Sequence, residues 1–169
     1  MTQSAKRFAH TEHGINRGPY HYKACGLDDV YLLNGYEPVE TSYGKGIQIE
    51  NIEALHKAIA SYLIMMQMPL KPKEFRFLRK QLNLTQKELG DLMKITDQTV
   101  ARYEKGECDI PATTDLTLRM FCAIELMPRD KTEKFLEDFK NILKAEDASR
   151  SQIFLRETAG DWDVSAIQQ

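Results

Sequence analysis

The chain has 169 residues, of which 42% are hydrophobic and 28% charged, and its formal net charge is −2. No apolar run approaches the roughly 20 residues that span a bilayer, so no contact with membranes is expected. The three cysteines lack C-x-x-C spacing, which argues against a disulfide framework and favours a reducing compartment. The polar N-terminus contains no apolar segment of the signal-peptide kind, and we therefore expect a cytoplasmic protein.

The basic residues are concentrated in the middle of the chain. From Lys71 to Lys105 there are nine Lys or Arg and five Asp or Glu, a balance of +4, whereas residues 1–70 and 107–169 are both net acidic. This asymmetry is typical of a module that faces phosphates. A solvated basic helix face would give the same pattern, so charge alone leaves both interpretations open.

Composition and chain punctuation divide the sequence into five parts, with Pro69 and Pro72 marking the main linker. The parts are a flexible arm over 1–18, a small α+β module over 19–67, a segment of four helices over 71–127, a C-terminal helix over 130–144 and a tail over 145–169.

Strand signals lie in the first third of the chain. Val30–Leu33 and Tyr36–Val39 are rich in β-forming residues and flank the pair Asn34-Gly35. Because both turn positions need positive φ, such a pair predicts a β-hairpin. Together with short strands at Tyr20–Tyr22 and Ile47–Ile49, this pattern predicts a β-meander.

An amphipathic helix is predicted to follow the meander. Asn51 suits its N-cap, and apolar residues then recur at helical spacing. The stripe consists of Ile52, Leu55, Ile59, Tyr62, Leu63 and Met66. We interpret it as the floor on which the strands pack.

The segment over 71–127 carries several helix-end signals. Thr85 and Glu88 form a capping box at the start of its second helix. Thr96 suits the N-cap of the third helix, which Gly106 ends, and the fourth follows Pro111.

Asp130-x-x-Glu133 is a second capping box and opens the C-terminal helix. The apolar stripe of that helix is Phe135, Leu136, Phe139, Ile142 and Leu143. The stripe could pack on the core or pair two copies of the chain, and both alternatives stay open. Further on, Ile153–Leu155 and Trp162 are apolar and could tie the tail down.

Residues 71–127 resemble the helix-turn-helix domain of the XRE family, the type found in phage Cro and repressor proteins. The resemblance rests on the spacing of three motifs, Phe77-Leu78-Arg79, Leu84-Thr85-Gln86-x-Glu88-Leu89 and Val100-x-Arg102-Tyr103-Glu104-x-Gly106. It implies a mainly α protein, with a lambda-repressor-like domain between the α+β module and the C-terminal helix.

The resemblance also implies the residues that contact duplex DNA. In this family the third helix lies in the major groove and the second touches the DNA backbone. Carried over by position, the expected DNA-binding residues are Thr85, Gln86, Lys87, Thr96, Asp97, Gln98, Thr99 and Arg102.

The chemistry of these positions agrees with such roles. Gln98 can pair with adenine N6/N7 and Arg102 with guanine O6/N7. The N-terminal end of the second helix, at Gln86 and Lys87, suits a phosphate. Asp97 departs from this logic, because a carboxylate repels phosphate, and we favour a role in stabilising the helix N-terminus.

Two residues of the motif are assigned to the fold. The resemblance implies that Glu104 pairs with Arg79 of the first helix. Tyr103 is expected to pack in the core.

The overall layout has a weaker similarity to helix-turn-helix antitoxins of the MqsA type. Their N-terminal module is a zinc ribbon built on two C-x-x-C pairs, which this sequence lacks, so zinc is not implied here. His10, His13, His21 and Cys25 match no standard metal-site spacing, and we predict no metal or other cofactor. Cys25 has no orienting group that would make it a catalytic nucleophile, and we predict no enzymatic activity.

The sequence therefore predicts a transcription regulator, a repressor that binds duplex DNA as a homodimer. Helices that follow the motif are the usual dimer contacts in this family, so Phe135–Leu143 is preferred over Ile52–Met66 for pairing. One alternative is an antitoxin that binds a toxin protein through its N-terminal module. Another is a protein-interaction adaptor that has lost DNA binding.

Overall fold

The computed structural model of the chain describes residues 18–42, 44–142 and 152–167. The predicted arm, apart from Gly18, lies outside these residues, as do His10 and His13. Within the described part, no helix combines the length and apolar composition that crossing a bilayer requires.

The first two and the last two strands of the described chain form one four-stranded sheet, in the order β1-β2-β5-β6. Strand β1 (Tyr20–His21) runs antiparallel to β2 (Val30–Leu32), which lies parallel to β5 (Gln152–Thr158). Strand β6 (Asp161–Ile167) pairs antiparallel with β5 and completes the sheet. The N-terminal strands therefore depend on a partner from the far end of the chain.

The tail is anchored through its apolar residues. Ile153 and Leu155 point into the core from β5, and Trp162 of β6 is 4% exposed. The expectation that these residues tie the tail down is confirmed, although the sequence did not predict that they form strands. The strands form because β2 offers a buried, β-rich neighbour, a non-local partner that local patterns do not reveal.

The remaining strands, β3 (Tyr36–Thr41) and β4 (Gly44–Ile49), form a separate two-stranded antiparallel ribbon. The strands predicted from the sequence are present. The predicted hairpin at Asn34-Gly35 is wrong, because β2 and β3 do not pair, and the strands do not form a single meander. The Asn34 side chain bonds to the backbone of Glu157 through Nδ2–O (2.9 Å) and N–Oδ1 (2.7 Å) contacts. Asn34 thus fastens β2 to β5 instead of turning the chain back onto β2.

Helix α1 (Ile52–Met65) begins at Asn51, whose side chain accepts a hydrogen bond from the Ala54 N–H at 3.2 Å. Its buried face includes Leu55, Ile59 and Leu63. This face packs against β6, α2 and α5, which confirms the predicted amphipathic helix and extends its contacts beyond the strands.

Four helices follow, as predicted: α2 (Pro72–Gln81), α3 (Gln86–Met93), α4 (Asp97–Lys105) and α5 (Ala112–Leu126). The fully buried side chains of these helices include Phe75, Leu78, Leu89, Val100 and Leu118. The mainly α fold class, with strands before this segment, is confirmed.

Helix α6 (Arg129–Ile142) follows the four-helix segment, as predicted. Phe135 is fully buried in the chain's own core, whereas Leu136 is 52% exposed. The side chains of Phe139, Ile142 and Leu143 lie outside the described part. The first residue of the predicted stripe therefore packs within the molecule.

A buried arginine joins α5 to α1. Arg119 is 1% exposed and its Nε donates to Asp115 Oδ1 at 2.5 Å. Its guanidinium also donates to backbone carbonyls at and beyond the end of α1, those of Leu63, Ile64, Met66 and Met68. A helix ends with carbonyls that lack an intrahelical partner, and Arg119 satisfies several of them at once.

Candidate nucleic-acid interface

The N-terminus of α3 is fixed by the predicted capping box. Thr85 Oγ1 accepts from the Glu88 N–H at 3.1 Å, and Glu88 Oε2 accepts from the Thr85 N–H at 2.7 Å. Hydrogen bonds to the Glu88 carboxylate from the Thr85 N–H, and then from the Thr85 side chain, hold the pKa of Glu88 below its usual value. The exposed Lys87 lies in the same first turn, where the N-terminal end of the helix also attracts anions.

The turn between α3 and α4 depends on a glycine that sequence reasoning did not single out. A Cβ at Gly90 would lie only 2.7 Å from the carbonyl oxygen of Ile95. The chain leaves α3 through Lys94 in the left-handed region, with φ 59°. The absent side chain allows the turn to pass close to α3, and so sets how α4 is placed.

Polar side chains at the start of α4 mainly serve the helix itself. Thr96 Oγ1 accepts from the Thr99 N–H at 3.1 Å, and the two hydroxyls lie 2.9 Å apart. Asp97 is exposed, and its Oδ1 accepts from the Gln98 N–H at 2.9 Å. The carboxylate therefore bonds at the helix N-terminus, where its charge is favourable.

Gln98 and Arg102 differ from these capping residues. Both side chains are exposed, and among the described residues neither makes a side-chain hydrogen bond or ion pair. They are four positions apart on α4 and so lie on the same face of the helix. Of the predicted groove-facing residues, these two have donors free for another molecule.

A buried ion pair holds α4 against α2. Arg79 Nε donates to Glu104 Oε1 at 2.5 Å and Nη2 to Oε2 at 3.0 Å, with 10% and 3% of the two side chains exposed. Arg79 Nη1 also donates to the Leu84 carbonyl at 2.6 Å. The expected pairing is confirmed, and Tyr103 is buried as expected.

Gln86 belongs to this buried cluster. Its Nε2 donates to Glu104 Oε2 at 2.9 Å, which ties the first turn of α3 to α4. This bond uses one of the two N–H donors of the Gln86 amide and orients its side chain at the start of α3.

Of the residues considered for a metal, His21 and Cys25 lie in the described part of the chain, and each contacts a backbone carbonyl. His21 Nε2 lies 2.5 Å from the Asp28 carbonyl oxygen, and Cys25 Sγ donates to the Tyr22 carbonyl. Among the residues described, no group of three or more His, Cys, Asp or Glu side chains could hold a metal ion.

Comparison with known proteins matches residues 75–116 to the family described as "Helix-turn-helix". This segment is an XRE-type helix-turn-helix domain. The matched residues run from α2 through α4 to the first part of α5. The comparisons with curated proteins and with solved structures gave no match.

In helix-turn-helix domains the first helix of the motif crosses the DNA backbone and the second enters the major groove. Here those helices are α3 and α4, and the domain is of the kind that DNA-binding regulators use. The exposed pair Gln98 and Arg102 lies on α4, which corresponds by its order in the motif to the helix that enters the groove in such domains.

Proposed function

We propose that this protein is a sequence-specific transcriptional repressor that binds duplex DNA as a homodimer. The observation that carries the proposal is the pair of unpartnered polar side chains, Gln98 and Arg102, on α4 of a helix-turn-helix domain. Repression would follow when a bound dimer covers a promoter.

Base reading is assigned to α4. Gln98 would pair with adenine and Arg102 with guanine through two hydrogen bonds each. The buried Arg79–Glu104 pair and the Thr96 cap hold α4 in place before DNA arrives, so little ordering is needed on binding. Lys87 and the start of α3 would bind a phosphate and set the register without reading sequence.

We expect binding to the protein's own promoter region to weaken steeply with salt. Each phosphate neutralised by Lys or Arg releases condensed counterions, so log affinity should fall with log salt at a slope of about −0.9 per contact. Fluorescence anisotropy of a labelled duplex, titrated at several salt concentrations, measures this slope. Absence of binding at low salt would exclude the DNA-binding proposal and favour the adaptor alternative.

Replacing Gln98 or Arg102 with alanine should reduce discrimination between operator and random DNA. Each bidentate contact accounts for about 1–3 kcal/mol of specificity. Lys87→Ala is the matched control, because Lys87 is also exposed but assigned to phosphate, and it should weaken all sequences about equally. Competition binding with operator and scrambled duplexes distinguishes the two patterns. Equal losses for all three variants on both duplexes would show that α4 does not read the bases.

A dimer is part of the proposal because one recognition helix contacts too few base pairs. So short a site recurs among the roughly million or more competing positions of a genome. Two copies related by a two-fold axis would bind half-sites about one helical turn apart. An antitoxin would share this DNA binding and would in addition copurify with a toxin encoded beside it.

A further inference from the structure

The ribbon formed by β3 and β4 packs against the core at one end, through Tyr36 and Ile49, and its residues beyond that end are mostly exposed. It forms its own two-stranded sheet, and a Cβ at Gly46 would meet only Val39 of the ribbon itself. Two-stranded ribbons are at best marginally stable in water unless something packs on them or extends them. The ribbon is thus a segment whose stability would increase with a further strand.

The register of the ribbon identifies which backbone groups point outward. The Glu50 N–H donates to the Gly35 carbonyl at 2.9 Å, and the register then places Pro38 opposite Ile47. Antiparallel ladders alternate between hydrogen-bonded and non-hydrogen-bonded pairs. Counting from the Gly35–Glu50 pair, Pro38 and Ile47 form a non-hydrogen-bonded pair, and their backbone groups face away from the ribbon.

The two edges of the ribbon are therefore unequal. On the β3 edge Pro38 lacks an N–H and obstructs an incoming strand, as prolines commonly do at sheet edges. On the β4 edge the outward groups belong to Lys45, Ile47 and Ile49, each with an N–H and a carbonyl. No described strand pairs with this edge. Only the β4 edge can accept a complete new strand.

We propose that the β4 edges of two copies pair antiparallel across the two-fold axis of the dimer, centred on Ile47. This inference rests on the homodimer of the proposed function and names its interface. The result is a four-stranded sheet in the order β3-β4-β4-β3, with about six backbone hydrogen bonds between the copies.

The side chains fit this pairing. Ile47 is 37% exposed, and its face of the ribbon also carries Pro38. Centring on Ile47 places the isoleucines of the two copies side by side. It sets Lys45 of each copy opposite Ile49 of the other, so no like charges meet. Centring on Lys45 would oppose two lysines, which disfavours that register.

Charge argues against DNA as the occupant of this edge. Residues 36–49 contain two glutamates and one lysine, and Lys45 already lies 3.9 Å from Glu40. A net acidic ribbon is repelled by phosphates. Ile52 follows the C-terminal end of β4 and is 49% exposed, so it adds apolar surface beside the paired edge.

The test is sedimentation velocity over a range of protein concentration with two proline variants. Ile47→Pro removes an outward N–H from the β4 edge while leaving the hydrogen bonds within the ribbon intact, as Pro38 does on β3. We expect the dimer dissociation constant to rise at least tenfold. Glu40→Pro, at the outward position of the β3 edge, is the matched control and should dimerise like the wild type.

Hydrogen exchange provides an independent readout. The amide of Ile47 should become protected as protein concentration rises, because only the second copy supplies its acceptor. If the wild type and Ile47→Pro dimerise equally well, the ribbon is not the dimer interface. The proposed function would be unaffected by that result. Dimer loss in Leu136→Asp without any effect of Ile47→Pro would assign the interface to α6.

A wild type that stays monomeric both alone and on its operator would overturn the inference together with the homodimer. Operator binding measured on the same samples tests the DNA-binding proposal separately. The chain could instead remain monomeric while its β4 edge pairs with a strand of a different protein, such as a toxin. That result would show that the occupant of the edge is not a second copy.

Discussion

Replacing Arg119 with methionine is expected to destabilise the whole protein by about 3–5 kcal/mol, the usual cost of removing one partner of a buried ion pair. Arg119 is 1% exposed, so its loss leaves Asp115 charged and without its cation in the interior. The carbonyls at the end of α1 lose their donor as well. Chemical denaturation followed by circular dichroism measures the change.

Arg129→Met is the matched control for this substitution. Arg129 also pairs with a carboxylate four residues away, Glu133, but 94% of its side chain is exposed. Exposed pairs of this kind contribute little, so the control should lie within about 0.5 kcal/mol of the wild type. An Arg119 variant as stable as this control would show that α1 is not held by the guanidinium.

Replacing Arg79 with alanine is the second large expected effect, again several kcal/mol. The substitution leaves the Glu104 carboxylate buried with only Gln86 as a described side-chain donor, and it frees the Leu84 carbonyl. Because the pair joins α2 to α4, operator binding should fall with stability. Thermal melting and anisotropy on the same samples measure both effects.

Arg76→Ala separates the buried pair from a general loss of positive charge. Arg76 lies on the same helix but is exposed, so its removal should leave the melting temperature within a few degrees of the wild type. If Arg79→Ala melted at the same temperature as Arg76→Ala, the Arg79–Glu104 pair would be exposed to solvent and would contribute little to stability.

The helices were predictable because their signals are local. The Thr85 and Thr96 caps and Gly106 lie at helix ends, and the structure places them as expected. The paths of the strands were not predictable in this way. Asn34 and Gly35 carry a hairpin signal, yet β2 pairs with the preceding strand β1 and with β5, which lies more than a hundred residues away. Sequence periodicity within one strand does not say which other strand completes its hydrogen bonds.

The candidate site was predictable in its position and less so in its details. The residues at the start of α4 were named, but sequence did not reveal that Thr99 and Thr96 share a hydrogen bond or that Gln86 is bonded to Glu104. Arg119 was missed altogether. Its role depends on carbonyls from another helix, and a lone arginine in an amphipathic helix has no sequence signature for such a role.

The parallel pairing of β2 with β5 has a consequence for how the protein is made. During synthesis the helix-turn-helix domain leaves the ribosome with all of its local contacts available, whereas β2 must wait until residues 153–155 have been translated. The N-terminal module is therefore the last part to be completed, although its strands emerge first. Until then Val30 and Leu32, both fully buried in the finished protein, have only the two-residue strand β1 beside them. Nascent chains that stall before β5 would present these residues to chaperones and proteases.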